Sequence, residues 1–156
     1  MFVAHAPPLS VYARLLLSLE TYGPAHTDTL NAVNNLAVFL KSLGRFDKAL
    51  PLYERVLAGD EKALGPDHPH TLDSVFNLAR LYDATGETAK AIPLYQRELA
   101  GCAKHYGQTH TETKTSAFNL ANYLERVGET SQAEALVKEY ALQVEAAEAA
   151  AAAAAK

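Results

Sequence analysis

Histidine and cysteine are the residues of this chain whose types and spacing come nearest to a chemical site. His68 and His70 have the spacing of a weak metal-binding pair, and Cys102 with His105 forms a second pair. Neither pair has the third and fourth ligands that a structural zinc site requires. The sequence also contains no Gly-rich phosphate loop, nucleophile elbow or dinucleotide-binding fingerprint. It therefore predicts no metal, no cofactor and no enzymatic activity.

Three histidines instead mark an internal repeat. His26, His68 and His110 are separated by 42 residues at each step. The same period relates the Asn-Leu-Ala segments at 35–37, 77–79 and 119–121. It also relates the glycines Gly44, Gly86 and Gly128, and the alanines Ala49, Ala91 and Ala133. A fixed period in this range indicates an array of structural repeats. Recurrence in register also favours turn geometry and hydrogen bonding over catalysis as the role of the histidines.

Within each unit the apolar residues follow helical spacing, which predicts a helical hairpin. In the first unit one stripe contains Leu30, Val33, Leu36, Ala37 and Leu40, and a second contains Ala49, Tyr53, Val56 and Leu57. The recurring glycine lies between the stripes, where it can close the first helix. Asp67, just before Pro69, is the expected cap of the next first helix. Residues 9–25 match the second half of a unit, so the chain is expected to open with half a repeat.

These residues resemble the tetratricopeptide repeat, in which small and aromatic residues occupy fixed positions of a helix-turn-helix unit. The 42-residue length, Asn-Leu-Ala and the Leu-Gly-Pro-Asp-His-Pro segment at 64–69 are similar to the repeats of kinesin light chains. The resemblance implies an all-α fold, a right-handed superhelical solenoid of antiparallel helix hairpins. It divides residues 1–145 into a half repeat at 9–25 and repeats at 26–67, 68–109 and 110–145, followed by an Ala-rich helix or tail at 146–156.

The resemblance also implies a non-enzymatic interaction module or scaffold, with first helices lining a concave groove that binds a peptide or a partner helix. The candidate groove residues share one face of the first helices; they are Asn31, Asn34, Asn35, Val38, Lys41, Asp73, Phe76, Asn77, Arg80, Phe118, Asn119, Asn122 and Arg126. The recurring asparagines are suited to bind a peptide backbone, the phenylalanines to form apolar pockets and the cations to meet acidic side chains. In kinesin light chains comparable positions receive acidic motifs with an aromatic anchor.

Each of these roles has a structural alternative. The asparagines would bond neighbouring backbone, as most side-chain hydrogen bonds do. Phe76 and Phe118 would pack between successive units. The cations would be solvent-exposed charges offset by Asp73, Asp83 and Glu125.

Composition limits the partners. Hydrophobic residues make up 49% of the 156 residues, which excludes a disordered tail, and a net charge of -4 argues against nucleic acid or an anionic membrane as partner. The single cysteine and the absence of a basic leader or a bilayer-length apolar run favour a cytoplasmic protein.

The two ends raise a second interpretation of function. Leu15, Leu16, Leu17 and Leu19 cannot all be covered by the unit that follows them, so an apolar face is expected at the N-terminal end. Terminal repeats normally need a polar outer face. The alternative function is therefore a structural subunit, or a solenoid that self-associates end to end within a larger complex. The alanine tract at 149–155 either caps the last repeat or is a flexible tail.

Overall fold

The computed structural model describes residues 9–141, and every regular element in that range is an α-helix. The helices are α1 (Leu9–Tyr22), α2 (Thr27–Ser42), α3 (Phe46–Leu64), α4 (Pro69–Ala84), α5 (Thr88–Tyr106) and α6 (Thr111–Arg126). A further helix, α7, occupies residues 130–141, where the described part ends. The Ala-rich segment at 146–156 lies outside the described residues.

Contacts between the helices follow the order of the chain. Helices α2 and α3 form one hairpin and α4 and α5 form the next, while α3 packs on α4 and α5 packs on α6. Helix α1 packs on α2, as α3 packs on α4. Each helix pair therefore contacts only its neighbours, as in repeat arrays. This arrangement confirms the prediction of an all-α helical repeat solenoid.

Each hairpin turns at the recurring glycine. Gly44 has φ of +70° and Gly86 has φ of +75°, a left-handed conformation that residues with a Cβ adopt only at a steric cost. The backbone N–H of the following residue returns to a carbonyl in the last turn of the first helix, so the turn also caps that helix. The predicted turn glycines are confirmed.

The predicted cap at Asp67 is wrong, because the neighbouring histidine takes that role. His68 is the N-cap of α4, with φ of -71° and ψ of 141°, and its Nδ1 accepts a hydrogen bond of 3.2 Å from the backbone N–H of His70. Asp67 lies one residue too early in the chain to cap the helix, and its carboxylate accepts a hydrogen bond from Lys104 of α5 instead. His26 and His110 cap α2 and α6 in the same way.

Small residues let the helices of a unit approach closely. Ala37, Ala49, Ala79 and Ala91 are fully buried, and Tyr53 of α3 is only 1% exposed. Gly59 of α3 faces Leu30 of α2 so closely that a Cβ on the glycine would lie 2.6 Å from Leu30 Cδ1. Gly101 has the same relation to Leu72 in the next unit. Helix spacing within each hairpin is therefore set by residues without bulk at these positions.

Candidate functional site

A pocket of about 320 Å³ lies where α4 and α6 meet on the exposed side of the first helices. We call the exposed side of α2, α4 and α6 the groove face. The residues that line the pocket are Phe76, Arg80, Tyr95, Asn119, Asn122, Tyr123 and Arg126. Five of them were predicted from the sequence, and two, Tyr95 and Tyr123, were not. The structure thus brings candidates from two successive units into one concavity.

Three aromatic rings form the floor of this pocket. Phe76 meets Tyr95 edge-on with 5.8 Å between ring centroids, and Tyr95 lies 5.0 Å from Tyr123 in a tilted arrangement. Two cations cover the rings, with the Arg80 guanidinium 5.8 Å from the Phe76 centroid and that of Arg126 5.3 Å from the Tyr123 centroid. Phe76 therefore packs against Tyr95 of its own unit and also lines the pocket. Such a floor can hold an apolar ligand side chain beside positive charge.

The two arginines of the pocket differ in their pairing. Arg126 donates a hydrogen bond of 2.7 Å to the Asp83 carboxylate of α4, an ion pair that links two successive units. Arg80 forms no ion pair within residues 9–141. Burial lowers the pKa of Lys41, and the nearby positive charge of Arg80 lowers it further. The Asp83 carboxylate acts in the opposite direction and raises the pKa of Lys41, but it forms its ion pair with Arg126, and neither Lys41 nor Arg80 forms an ion pair within the described residues.

Buried polar atoms without partners occur where α3 meets the groove face. Within the described residues neither the Tyr53 hydroxyl nor the Asn34 Oδ1 has a hydrogen-bond partner. Burial raises the pKa of Tyr53 to about 12, against the opposing influence of Arg80. Tyr53 and Asn34 precede Tyr95 and Phe76 by one 42-residue period. The first two units therefore present a polar counterpart of the aromatic pocket.

The recurring asparagines keep their amide groups free. Asn35 is exposed, while Asn77 and Asn119 are half-buried. None of the three side chains forms a hydrogen bond within residues 9–141, so the bonds to neighbouring backbone that were the structural alternative do not occur there. Each amide retains both a donor and an acceptor for a ligand.

The remaining candidates are spread along the same side of the chain. Asn31 and Asn35 line a separate pocket of about 290 Å³ between α1 and α2. Val38 and Asp73 are exposed, and Phe118 is 65% exposed. None of these five residues lines the pocket at the α4–α6 junction.

Tyr95 and Tyr123 were missed because their positions read as core. Both are almost completely buried, at 4% and 3% exposure, yet their rings form the pocket floor. The recurrence of tyrosine at positions 53 and 95 was a signal for Tyr95, because this position of the second helix carries the same residue type in two units. For Tyr123 no comparable signal exists, because Leu81 and Phe39 occupy the equivalent positions.

The residues that resembled a chemical site are held in structural roles. His68 stacks on His70 with 5.6 Å between centroids, and no three His, Cys, Asp or Glu side chains in the described part of the chain are grouped to hold a metal ion. Cys102 is 6% exposed, and burial raises the pKa of its thiol to about 11, which disfavours the reactive thiolate. The Ser116 hydroxyl, near this thiol, lies 2.6 Å from Oε1 of the buried Glu98 carboxyl.

No helix in residues 9–141 combines the length and apolar character that crossing a bilayer requires.

Comparisons with known proteins agree with this architecture. Two tetratricopeptide repeat family models match, one over residues 28–104 and the other over residues 73–155. Among solved structures, a Podosopora anserina protein described as a kinesin light chain with nearly identical TPR-like repeats is 27% identical, with a TM-score of 0.77 over 86% of this chain and 64% of that one. BtubC (BKLC) from P. vanneervenii is 23% identical, with a TM-score of 0.75 over 88% of this chain and 55% of that one.

The chain thus spans less than two thirds of the length of either protein. No curated protein sequence matches it significantly. One of the two family models covers more than half of the chain. The chain therefore belongs to the tetratricopeptide repeat family, and its repeats are of the kinesin light chain type.

Proposed function

We propose that this protein is a non-enzymatic interaction module that binds an extended, acidic peptide segment with an aromatic anchor on its groove face. Tetratricopeptide repeats generally mediate protein–protein interactions. The observation that carries the finer proposal is the pocket at the α4–α6 junction, where an aromatic floor lies directly beside Arg80.

The aromatic floor favours an aromatic or large apolar anchor. A pocket of about 320 Å³ walled by Phe76, Tyr95 and Tyr123 offers edges and faces of rings to a ligand ring. Aromatic pairs in such arrangements are worth about 0.5–1.5 kcal/mol beyond the area that they bury. The anchor would thus supply most of the apolar binding energy.

The cationic part of the groove face favours carboxylates next to that anchor. Lys41 and Arg80 are near each other and lack an ion pair within the described residues. A ligand carboxylate would offset their mutual repulsion and satisfy guanidinium donors. Arg126 contributes less, because Asp83 already pairs with it.

The free asparagine amides supply the grip on the peptide backbone. Asn35, Asn77 and Asn119 recur at one position of successive first helices, and each can donate to and accept from a peptide group. This contact does not depend on ligand sequence. Specificity would therefore rest on the aromatic pocket and the cations.

A peptide-display selection against the protein, followed by affinity measurements with variants, tests this proposal. We expect enriched peptides to carry an aromatic residue near Asp or Glu, and Arg80→Ala to weaken them about 10–100-fold, because a hydrogen bond to a charged group contributes about 1.5–3 kcal/mol. The combined change of Asn35, Asn77 and Asn119 to Ala should weaken all enriched peptides. Each variant is first checked for unchanged helix content.

Lys62→Ala is the matched control, because it also removes one positive charge, from the exposed surface of α3. It should leave affinity unchanged. Failure to enrich any peptide, or peptides that bind the Arg80 and asparagine variants as tightly as the parent, would contradict binding on the groove face.

The second candidate is a structural subunit whose ends are buried in an assembly. Leu16 and Leu17 of α1 are 60% and 65% exposed, and Phe118 and Val137 near the other end of the described residues are 65% and 58% exposed. Large apolar side chains exposed at this level mark surfaces that associate. Concentration-dependent association that survives Arg80→Ala would favour this candidate.

A further inference from the structure

The pocket at the α4–α6 junction places positive charge directly over its aromatic floor. The Arg80 guanidinium lies 5.8 Å from the Phe76 centroid, and the Arg126 guanidinium lies 5.3 Å from the Tyr123 centroid. Both arginines line the same pocket as the rings. We propose that this pocket recognises phosphotyrosine, with the phosphorylated ring on the floor and the phosphoryl group bound by the two guanidiniums. This inference rests on the proposed function, because it names the anchor of the peptide bound on the groove face.

The geometry of an extended peptide favours an anchor that carries the negative charge itself. Adjacent side chains of an extended chain point to opposite sides, so the residues directly before and after the anchor point away from the pocket. The nearest side chains on the anchor's own side are two residues away, about 7 Å along the peptide. Carboxylates at those positions can meet cations elsewhere on the groove face. An anion that enters the pocket together with the ring must be attached to that ring, as it is in phosphotyrosine.

The two arginines retain donors for a phosphoryl group. Arg126 donates to the Asp83 carboxylate through Nη2 alone, at 2.7 Å, which leaves other N–H groups of its guanidinium for a ligand. Arg80 forms no ion pair within residues 9–141, so its N–H groups face no competing carboxylate there. A phosphate monoester carries a charge of about -1.5 to -2 at pH 7 and has three acceptor oxygens. It can therefore bond both guanidiniums at once.

The charges around the Tyr95 hydroxyl favour the same ligand. Burial raises the pKa of Tyr95 to about 12; the Asp83 carboxylate acts in the same direction, whereas Arg80 and Arg126 act in the opposite one. Both guanidiniums therefore lie close enough to act on the hydroxyl of one residue of the floor. With this pKa, Tyr95 keeps its proton at pH 7 and can donate a hydrogen bond to a phosphoryl oxygen.

The repeat itself does not require two arginines over one aromatic floor. One 42-residue period earlier, apolar residues occupy the positions of Arg80, Tyr123 and Arg126. They are Val38, Leu81 and Ala84. None of these three side chains can bond an anion, so the combination is particular to the α4–α6 junction among the described units.

Four synthetic peptide pools test the inference. They share random flanking positions and differ only in the fixed central residue, which is phosphotyrosine, tyrosine, phosphoserine or phenylalanine. Fluorescence anisotropy of each labelled pool during titration with the protein gives its apparent affinity. We expect the phosphotyrosine pool to bind about 10–100-fold more tightly than the tyrosine pool, because the phosphoryl group adds hydrogen bonds to charged donors. It should also bind more tightly than the phosphoserine pool, which carries the charge without the ring.

Substitutions locate the phosphoryl group. Arg126→Gln and Arg80→Gln should each reduce the preference for phosphotyrosine over tyrosine about tenfold, whereas Asp83→Asn should increase it by removing the competing carboxylate. Arg97→Gln is the matched control, because Arg97 also pairs with a carboxylate of the preceding unit, Glu61, at 2.6 Å, and does not line the pocket. This control should leave the preference unchanged. Circular dichroism first establishes that each variant keeps its helix content.

Three results would overturn the inference. A phosphotyrosine pool that binds no more tightly than the tyrosine pool would show that the pocket does not bind the phosphoryl group. Equal affinity for the phosphoserine pool would show that the floor does not hold the ring. A preference for phosphotyrosine that survives both Arg80→Gln and Arg126→Gln would place the phosphoryl group elsewhere. The unphosphorylated acidic peptides selected by display separate these failures from failure of the proposed function: if they bind and depend on Arg80, binding on the groove face stands whatever the pools show.

Discussion

The buried Tyr53 hydroxyl, which lacks a hydrogen-bond partner within the described residues, allows a quantitative test by substitution. Tyr53 is 1% exposed, and its hydroxyl has no hydrogen-bond partner within the described residues. A buried polar group without a partner costs about 1–3 kcal/mol, whereas the aromatic ring without its hydroxyl retains its packing. Tyr53→Phe should therefore raise the free energy of unfolding by about 1 kcal/mol or more. For a chain of this length, 1 kcal/mol corresponds to roughly 2–4 °C in Tm.

Urea unfolding monitored by circular dichroism measures this change, and Tyr95→Phe is its matched control. The Tyr95 hydroxyl is not among the buried atoms that lack a partner, and its ring occupies the equivalent position one unit later. The control should alter stability by less than about 0.5 kcal/mol. If Tyr53→Phe instead lowers stability by about 1 kcal/mol, the hydroxyl is bonded in the native protein and the reasoning fails.

Three further predictions concern a helix contact, a helix cap and a buried carboxyl, and urea unfolding measures each. Gly59→Ala should destabilise the protein, because overpacking against Leu30 costs about 1–3 kcal/mol and the gain in helix propensity is only about 1 kcal/mol. In a Leu30→Ala background the overpacking is removed, so the same change should stabilise the protein. His68→Ala should cost about 1 kcal/mol through loss of the N-cap, and His68→Asn should cost less. Burial raises the pKa of Glu98, so ionisation of this carboxyl opposes folding. Glu98→Gln should therefore raise the free energy of unfolding at pH 7, and this gain should shrink as the pH falls towards 4.5. An equal loss of stability at both pH values would contradict burial of the charge as the cause.

The fold was predictable because the same helical pattern of apolar residues recurs in three units of the chain. Each unit repeats the same apolar stripes, turn glycine and helix length, so an error in one unit would conflict with the other two. The N-cap could not be predicted in the same way. Asp67 is a preferred capping type, and only the backbone geometry shows that the helix begins one residue later, which gives the role to His68.

The residues of the candidate site on the exposed face of the first helices were predictable, and the two tyrosines of its floor were not. Helical spacing places Phe76, Arg80 and Asn119 on one face, and they do line the pocket. Tyr123 belongs to the same pocket although its position follows the core stripe, because a first helix turns part of that stripe towards the preceding unit. The offset between neighbouring helices decides such contacts, and a periodic sequence pattern does not contain that offset.

Contacts between units build the proposed binding surface. The aromatic pocket takes Phe76 from α4, Tyr95 from α5 and Tyr123 from α6, so it does not exist within any single hairpin. The pair of Asp83 with Arg126 spans the same junction, and it both stabilises the stacking and limits how far Arg126 can serve a ligand. Arg80 has no such partner within residues 9–141, and Asn34 stands one unit earlier at the position of Phe76. On the proposed binding surface, substitutions at a few groove positions would therefore change ligand choice from unit to unit, while the repeated alanines and glycines keep the helices in place.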